Sequence, residues 1–167
     1  MSRDVCGALT ETLKERREWD EEPCLYVMYR QGGDVRLSRL IPEGAWPSGP
    51  PAQILSALAD QAARNLAALI VAVPDLAGFA FRNEVWGIRK PGGRERIREM
   101  TAGPRPSVHP DRIEQRFIWA VTLDGTHYTA MQDRGDRAIL AAKPEAHDGD
   151  IPRALERMVK AVTAGAN

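Results

Sequence analysis

The sequence predicts an α+β fold, with a five-stranded antiparallel sheet, one long helix on one face and a helix at each end of the chain. Two hairpin signals predict the sheet: Gly32-Gly33 and Asp124-Gly125 each lie between runs rich in branched and aromatic residues. The long helix is predicted because apolar residues recur at helical spacing from Ile54 to Ile70. The predicted order is α-β-β-α-β-β-β-α.

The length and the charge of the chain limit the classes of protein to which it could belong. A chain of 167 residues is long enough to bury the core of one domain, residues 1–167. Its 23 basic and 23 acidic side chains cancel, whereas a protein that holds duplex nucleic acid usually carries a positive face. Cys6 and Cys24 are too few for a disulfide framework or a zinc cage. We expect a cytoplasmic protein without metal or cofactor, because the sequence has no signal-peptide core and no apolar run of membrane-spanning length.

The first part of the chain predicts a helix followed by a hairpin. In residues 1–20, apolar side chains recur every four positions on an otherwise charged surface, so we expect a helix that docks loosely by one face. Residues 25–30 and 35–41 flank the paired glycines and predict two strands. The proline- and glycine-rich stretch that follows predicts a loop before the long helix.

A third strand and a long loop occupy the middle of the chain. Residues 78–90 alternate as a strand with large side chains on both sides, which is typical of a strand inside a sheet. Residues 90–112 are rich in arginine and proline and predict an irregular loop. Loops this long within a compact domain are uncommon and are either functional or disordered. At the end of the chain, Asp150 and Pro152 predict the start of a terminal helix.

The segment "RIEQRFIWAVTLDGTHYTAMQDR", residues 112–134, predicts the second hairpin. A two-residue turn at Asp124-Gly125 would place Arg116 opposite Asp133 and Leu123 opposite Thr126. The predicted core face holds Ile113, Phe117, Trp119, Val121, Leu123 and Tyr128. The opposite face holds Glu114, Arg116, Ile118, His127, Met131 and Asp133.

Two resemblances accompany these patterns. The predicted order of helices and strands resembles the roadblock and longin group of profilin-like modules, which dimerise and bind other proteins; no sequence motif of that group is present, so the resemblance implies no function. The segment "HPDRIEQRFIWAVTLDGTHYTAMQDRGD", residues 109–136, resembles uncharacterised proteins of actinobacteria and their phages. Those families have no assigned activity, so no residue role follows from the resemblance.

The residues that could carry chemistry gather around the start of the second hairpin. Standard signatures of phosphate loops, dinucleotide binding, serine hydrolases and zinc sites are absent from the sequence. The candidate catalytic residues are His109, Asp111, Glu114 and Asp133, since a histidine beside carboxylates can act as a general base. The candidate substrate-binding residues are Arg82, Glu84, Arg112, Arg116 and Arg134, since arginines hold anionic groups. These residues would serve a small hydrolase or transferase acting on a phosphate- or carboxylate-bearing substrate.

A structural interpretation of the same charges is favoured. Opposite charges on neighbouring strands commonly form solvated ion-pair ladders, and such ladders alone predict this pattern. The arginines of residues 90–112 are also compatible with anion capture or weak binding of single-stranded nucleic acid. Nucleic acid is disfavoured by the neutral total charge. The sequence leaves open whether the protein is an enzyme.

The preferred hypothesis is a non-catalytic module for protein interaction or dimerisation. Apolar residues occur on both faces of the predicted sheet, and one long helix cannot cover both. Either the two terminal helices or a partner must cover the second face, and the narrow stripe of the N-terminal helix favours a partner. The candidate interface residues are Trp86, Ile88, Ile118 and Met131. We expect a homodimer or another protein partner at this face.

Overall fold

The computed structural model describes residues 2–15, 18–65, 73–88, 112–143 and 149–165. In these ranges the helices and strands follow in the order α1 Val5–Lys14, β1 Cys24–Gln31, β2 Asp34–Arg39, α2 Pro51–Arg64, β3 Leu76–Ile88, β4 Arg112–Thr122, β5 His127–Asp133, β6 Ile139–Ala142 and α3 Asp150–Gly165. Among the described helices, none combines the length and the apolar character that crossing a bilayer requires.

The α+β class and the antiparallel sheet are confirmed, but the sheet has six strands rather than five. Its order is β2-β1-β3-β4-β5-β6, and every neighbouring pair is antiparallel. The additional strand, β6, is only four residues long and reads Ile-Leu-Ala-Ala. So short an apolar run has no alternating pattern, which is why the sequence did not predict it.

Helices cover both faces of the sheet. On the outer face, α2 and α3 pack on a core that includes Leu25, Phe79, Phe81 and Val121. On the other face, the sheet curls into a half-barrel around α1, which contacts β5 and both edge strands, β2 and β6. We call this the concave face. Strand alternation explains the division, because successive residues of each strand point to opposite faces.

The N-terminal helix packs more closely than its narrow stripe suggested. Asp4 caps α1, and its carboxylate accepts a hydrogen bond from the Gly7 amide at 2.8 Å. The buried residues of the helix are Val5, Ala8, Leu9 and Leu13. They meet buried side chains of five strands, and Ile118, a predicted interface residue, lies fully buried in this second core.

The register of the second hairpin differs by one residue from the prediction. Val121 pairs with His127, and Arg116 pairs with Gln132 instead of Asp133. The turn is longer than two residues because the Asp124 carboxylate accepts hydrogen bonds from the Thr126 amide at 3.0 Å and from the Thr122 hydroxyl at 2.5 Å. The shift moves Tyr128 from the predicted core face to the concave face, and it moves His127, Met131 and Asp133 to the outer face.

Candidate functional site

The segment that joins α1 to β1 brings acidic residues onto the concave face. Glu84 of β3 lies directly opposite Arg116 of β4, and Trp86 lies opposite Glu114. Residues 18–22 lie across these strands where α1 ends, and their backbone and side chains contact the strand charges. We call this group the polar cluster; it consists of Trp19, Asp20, Glu21, Arg82, Glu84, Glu114, Arg116 and Arg134.

Arg116 lies at the centre of the polar cluster, and its residue exposure is 0%. Its guanidinium donates to Glu84 Oε1 at 3.1 Å and to the carbonyl oxygen of Glu18. The Trp19 ring covers the guanidinium, with 4.5 Å between the guanidinium carbon and the ring centroid. A charge removed from water this completely must be paired and hydrogen-bonded, so these contacts are conditions for the fold.

Arg82 is the second buried cation, at 1% exposure. It donates to Glu21 Oε2 at 2.5 Å and to the Glu22 carbonyl oxygen at 3.3 Å. Glu21 lies 3.9 Å from Arg116 as well, so one carboxylate serves both buried arginines. The joining segment is therefore tied to the sheet by ion pairs as well as by its chain connection.

Arg134 closes the polar cluster at the surface. Its guanidinium donates to Glu114 and, at 3.3 Å, to Asp20 Oδ1, and it lies 5.6 Å from the Trp19 ring centroid. Its hydrogen bonds raise the pKa of Arg134 above its ordinary value; the bond to Glu114 has the largest effect and the bond to Asp20 the next largest. Asp20 has a positive φ of 64°, a conformation that Asp tolerates better than most residues.

Three carboxylates of the polar cluster, Asp20, Glu84 and Glu114, lie with one oxygen each within 4.8 Å of one another. This spacing would suit a divalent cation. The same carboxylates already accept hydrogen bonds, Glu84 from Arg116 and from the Asp20 amide at 2.8 Å, and the other two from Arg134. The arginines thus supply the positive charge that the carboxylates need.

The structure brings together five of the predicted site residues: Arg82, Glu84, Glu114, Arg116 and Arg134. Asp133 lies on the outer face instead, where it accepts a hydrogen bond from Gln115 Nε2 at 2.6 Å. Arg112 is exposed, with its guanidinium 5.6 Å from the Trp86 ring centroid. His109, Asp111 and most of the predicted loop at 90–112 lie outside the described residues, so the predicted base and the anion-binding loop stay predictions.

The sequence did not assign Trp19, Asp20 and Glu21 to a site. The signal was available in the run "WDEEP", three acids beside a tryptophan just before a strand. Their partner residues lie roughly 60 to 115 positions further along the chain, as with Asp20 and Arg134, which are 114 apart. Such distant contacts cannot be found from local spacing.

The predicted interface residues separate in the structure. Trp86 is exposed at 44%, Ile118 is buried beneath α1, and the side chain of Ile88 lies outside the described part. Met131 is half-buried on the outer face, between Phe117 of β4 and Leu140 of β6. We call Phe117, Met131 and Leu140 the apolar row.

The two edges of the sheet differ in chemistry. At β2, the Val35 amide donates to the Arg3 carbonyl oxygen at 2.9 Å, and Asp34 accepts from the Arg3 amide at 2.7 Å. The chain's own N-terminal residues thus protect that edge. At β6, no further strand pairs among the described residues, the strand carries no charge, and Leu140 is 64% exposed.

One depression in the described part lies away from the polar cluster. It is open to solvent, encloses about 460 Å³ and lies at the end of the first hairpin, with Tyr29, Arg30 and Asp75 among its lining residues. None of the predicted catalytic residues lines it. A shallow, open depression of this kind differs from the enclosed pockets that bury small ligands.

Comparison with protein-family models, with curated proteins and with solved structures found no match for this chain. The resemblances to roadblock and longin modules and to actinobacterial proteins stay predictions.

Proposed function

We propose that this protein is a non-catalytic interaction module that binds a strand of another polypeptide at the edge of β6. The observation that carries the proposal is that β6 combines an edge left unpaired by the described residues, no charged residue and a leucine, Leu140, exposed at 64%. Natural sheets usually protect their edges with charges, prolines, bulges or covering segments. The shortness of β6 is itself a partial protection, but in the described part no charge or proline lies on the strand and no segment covers its edge. Such an edge is a template for another strand.

The contrast between the two edges supports this proposal. The edge strand β2 carries Asp34, Arg36 and Arg39 and is hydrogen-bonded to Arg3. The β2 edge is protected by charges and by Arg3, whereas the described residues leave the β6 edge open. This difference between the two edges suggests that the open edge at β6 has a function. The predicted homodimer would be one form of the complex, with a second copy supplying the strand.

The state of the polar cluster supports a non-catalytic role. Arg82 and Arg116 are buried and paired with Glu21 and Glu84, so their positive charges are already neutralised by the chain itself. A substrate anion would have to displace these carboxylates. The cluster therefore fits a structural role, in which it fixes the segment after α1 on the concave face.

Photo-crosslinking tests the proposed function. A photoreactive phenylalanine analogue at position 140, in the protein's native cell, should crosslink to an extended segment of a polypeptide. The matched control carries the analogue at the exposed Gln53 of α2. Ala141→Pro should abolish the crosslink, because proline in an edge strand removes an amide donor and blocks strand pairing. Equal crosslinking from both positions, or a product that survives Ala141→Pro, would contradict the proposal.

A further inference from the structure

We propose that the strand bound by β6 belongs to a different protein and has an apolar centre flanked by acidic residues. This inference rests on the proposed function and adds the chemistry of the partner. Two observations carry it: the charges on both sides of β6 and the apolar row that ends at Leu140.

The first charged residue on each side of β6 is a cation. Arg137 precedes the strand by two residues and Lys143 follows it directly; both are exposed. Neither forms an ion pair with any residue in the described ranges. The acid next to Arg137, Asp136, uses a carboxylate oxygen to accept a hydrogen bond from the Ala138 amide at 3.0 Å, within the turn. The acid nearest to Lys143 along the chain, Glu145, lies outside the described residues.

Among the described residues, Lys143 forms no ion pair and acts electrostatically on two groups, the Asp124 carboxyl and the Cys6 thiol. It lowers the pKa of Asp124, but hydrogen bonds from Thr122 and Thr126 lower that pKa more. An acidic residue on a bound strand could approach either cation from solvent. Such pairs are exposed, so their main effect is on selectivity and association rate.

A second copy fits this edge poorly. If two β6 strands paired antiparallel about Leu140 and the pairing continued past both strand ends, Arg137 of one copy would lie opposite Lys143 of the other, at both ends of the pair. Like charges directly opposite each other are destabilising. A partner strand with acids at these positions replaces both repulsions with attractions.

The apolar row determines the centre of the partner strand. Phe117, Met131 and Leu140 are cross-strand neighbours on the outer face, and Phe117 stacks on Trp119 with 5.1 Å between ring centroids. A strand added beyond β6 places one of its side chains next to Leu140. An apolar side chain there extends the row and shields Leu140 from water.

Two matched peptides test the inference. Each has an Ile-Thr-Val-Thr-Ile centre; one carries two glutamates at each end and the other carries two lysines. Fluorescence anisotropy at low salt should show the glutamate peptide binding about tenfold more tightly, with the difference shrinking in 0.5 M salt because exposed charges are screened. Leu140→Gln, which removes the apolar contact without adding a charge, should weaken both peptides.

A pair of double variants isolates the two cations. Arg137→Gln with Lys143→Gln should remove the preference for the glutamate peptide. Arg153→Gln with Lys160→Gln, two exposed cations of α3, changes the net charge equally and should leave the preference intact. Circular dichroism checks that each variant keeps the fold.

The possible outcomes separate the inference from the proposed function. Equal binding of both peptides, lost in Leu140→Gln, would overturn the acidic partner while the strand-binding function stands. Self-association that rises with concentration and is lost in Leu140→Gln would identify a second copy as the occupant and overturn the inference. Absence of both peptide binding and self-association would contradict both proposals.

Discussion

Replacing Glu84 by alanine tests whether the polar cluster is held together by its buried charges. The side chain of Glu84 is 10% exposed and accepts hydrogen bonds from Arg116 and from the Asp20 amide. In the variant, Arg116, whose side chain is 0% exposed in the structure, keeps its charge but loses this carboxylate. Removing one partner of a buried pair typically costs about 3–5 kcal/mol, because the other charge remains buried.

We expect Glu84→Ala to lower the free energy of unfolding by about 3 kcal/mol, toward the lower end of that range because Glu21 lies 3.9 Å from Arg116 and compensates in part. Glu43 is the matched control, because it is exposed and forms no ion pair among the described residues. Glu43→Ala should change the stability by less than about 0.5 kcal/mol.

A double variant distinguishes pairing from simple loss of volume. Replacing both Glu84 and Arg116 by methionine removes the two charges together and fills the space with apolar atoms. Because such replacements are often neutral or stabilising, the double variant should be more stable than Glu84→Ala. The stability of the double variant therefore shows whether Glu84→Ala is destabilised by the unpaired charge of Arg116 or by the lost side-chain volume.

Urea unfolding monitored by circular dichroism gives the free energies, and tryptophan fluorescence adds a local signal because Trp19 lies on Arg116. A loss of less than about 1 kcal/mol in Glu84→Ala, with an unchanged dependence on urea, would refute the account of the polar cluster. It would mean that the Glu84 carboxylate contributes little to the burial of Arg116.

Three further predictions concern stability. Leu9→Ala should lower the free energy of unfolding by about 2–5 kcal/mol in urea, because Leu9 is fully buried between α1 and the sheet. Gly78→Ala should lower the thermal midpoint, since φ is 155° and a Cβ would lie 2.2 Å from the Val121 carbonyl oxygen; an unchanged midpoint contradicts this close approach. Hydrogen bonds from Thr122 lower the pKa of Asp124 below 3.8, so its contribution is present above pH 3.8 and is lost as the pH falls through the lowered pKa. Asp124→Asn should weaken this acid dependence in urea titrations, and identical pH profiles would exclude the contribution.

Local pattern predicted those parts of the fold that depend on neighbouring residues. Alternation along β3 placed Phe79 and Phe81 on one face and Arg82 and Glu84 on the other, as the structure has them. This works because strand geometry alone fixes which side chains share a face. The same alternation predicted that charged residues of β3 and β4 share one face, where the structure has the polar cluster.

The other parts of the fold and of the polar cluster depend on side-chain interactions and on contacts between distant residues, which local pattern does not predict. The register of the second hairpin depends on the Asp124 carboxylate, which enlarges the turn by its hydrogen bonds to Thr122 and Thr126. A pattern of turn residues does not show which hydrogen bonds a side chain makes. The role of Trp19 depends on Arg116, 97 positions away by their numbering, so the segment before β1 could not be assigned from its own composition.

The sequence also did not predict that α1 covers the concave face of the sheet. The stripe of α1 was expected to cover little, because its apolar residues are few and spaced four apart. The curled sheet makes a narrow stripe sufficient, since its strands surround α1 and bury Leu9 and Leu13 completely. In the described ranges, the large exposed apolar side chains therefore lie at the β6 edge and at Trp86 rather than across a whole face.

Amide hydrogen exchange of β6 is the most direct test of the proposed binding edge. In an antiparallel edge strand, alternate amides point away from the neighbouring strand, and an added strand protects them. We predict that the glutamate-flanked peptide slows exchange within Ile139–Ala142 and leaves Asp34–Arg39 of β2 unchanged. Protection at β2, or unchanged exchange at β6 with the peptide bound, would contradict the account.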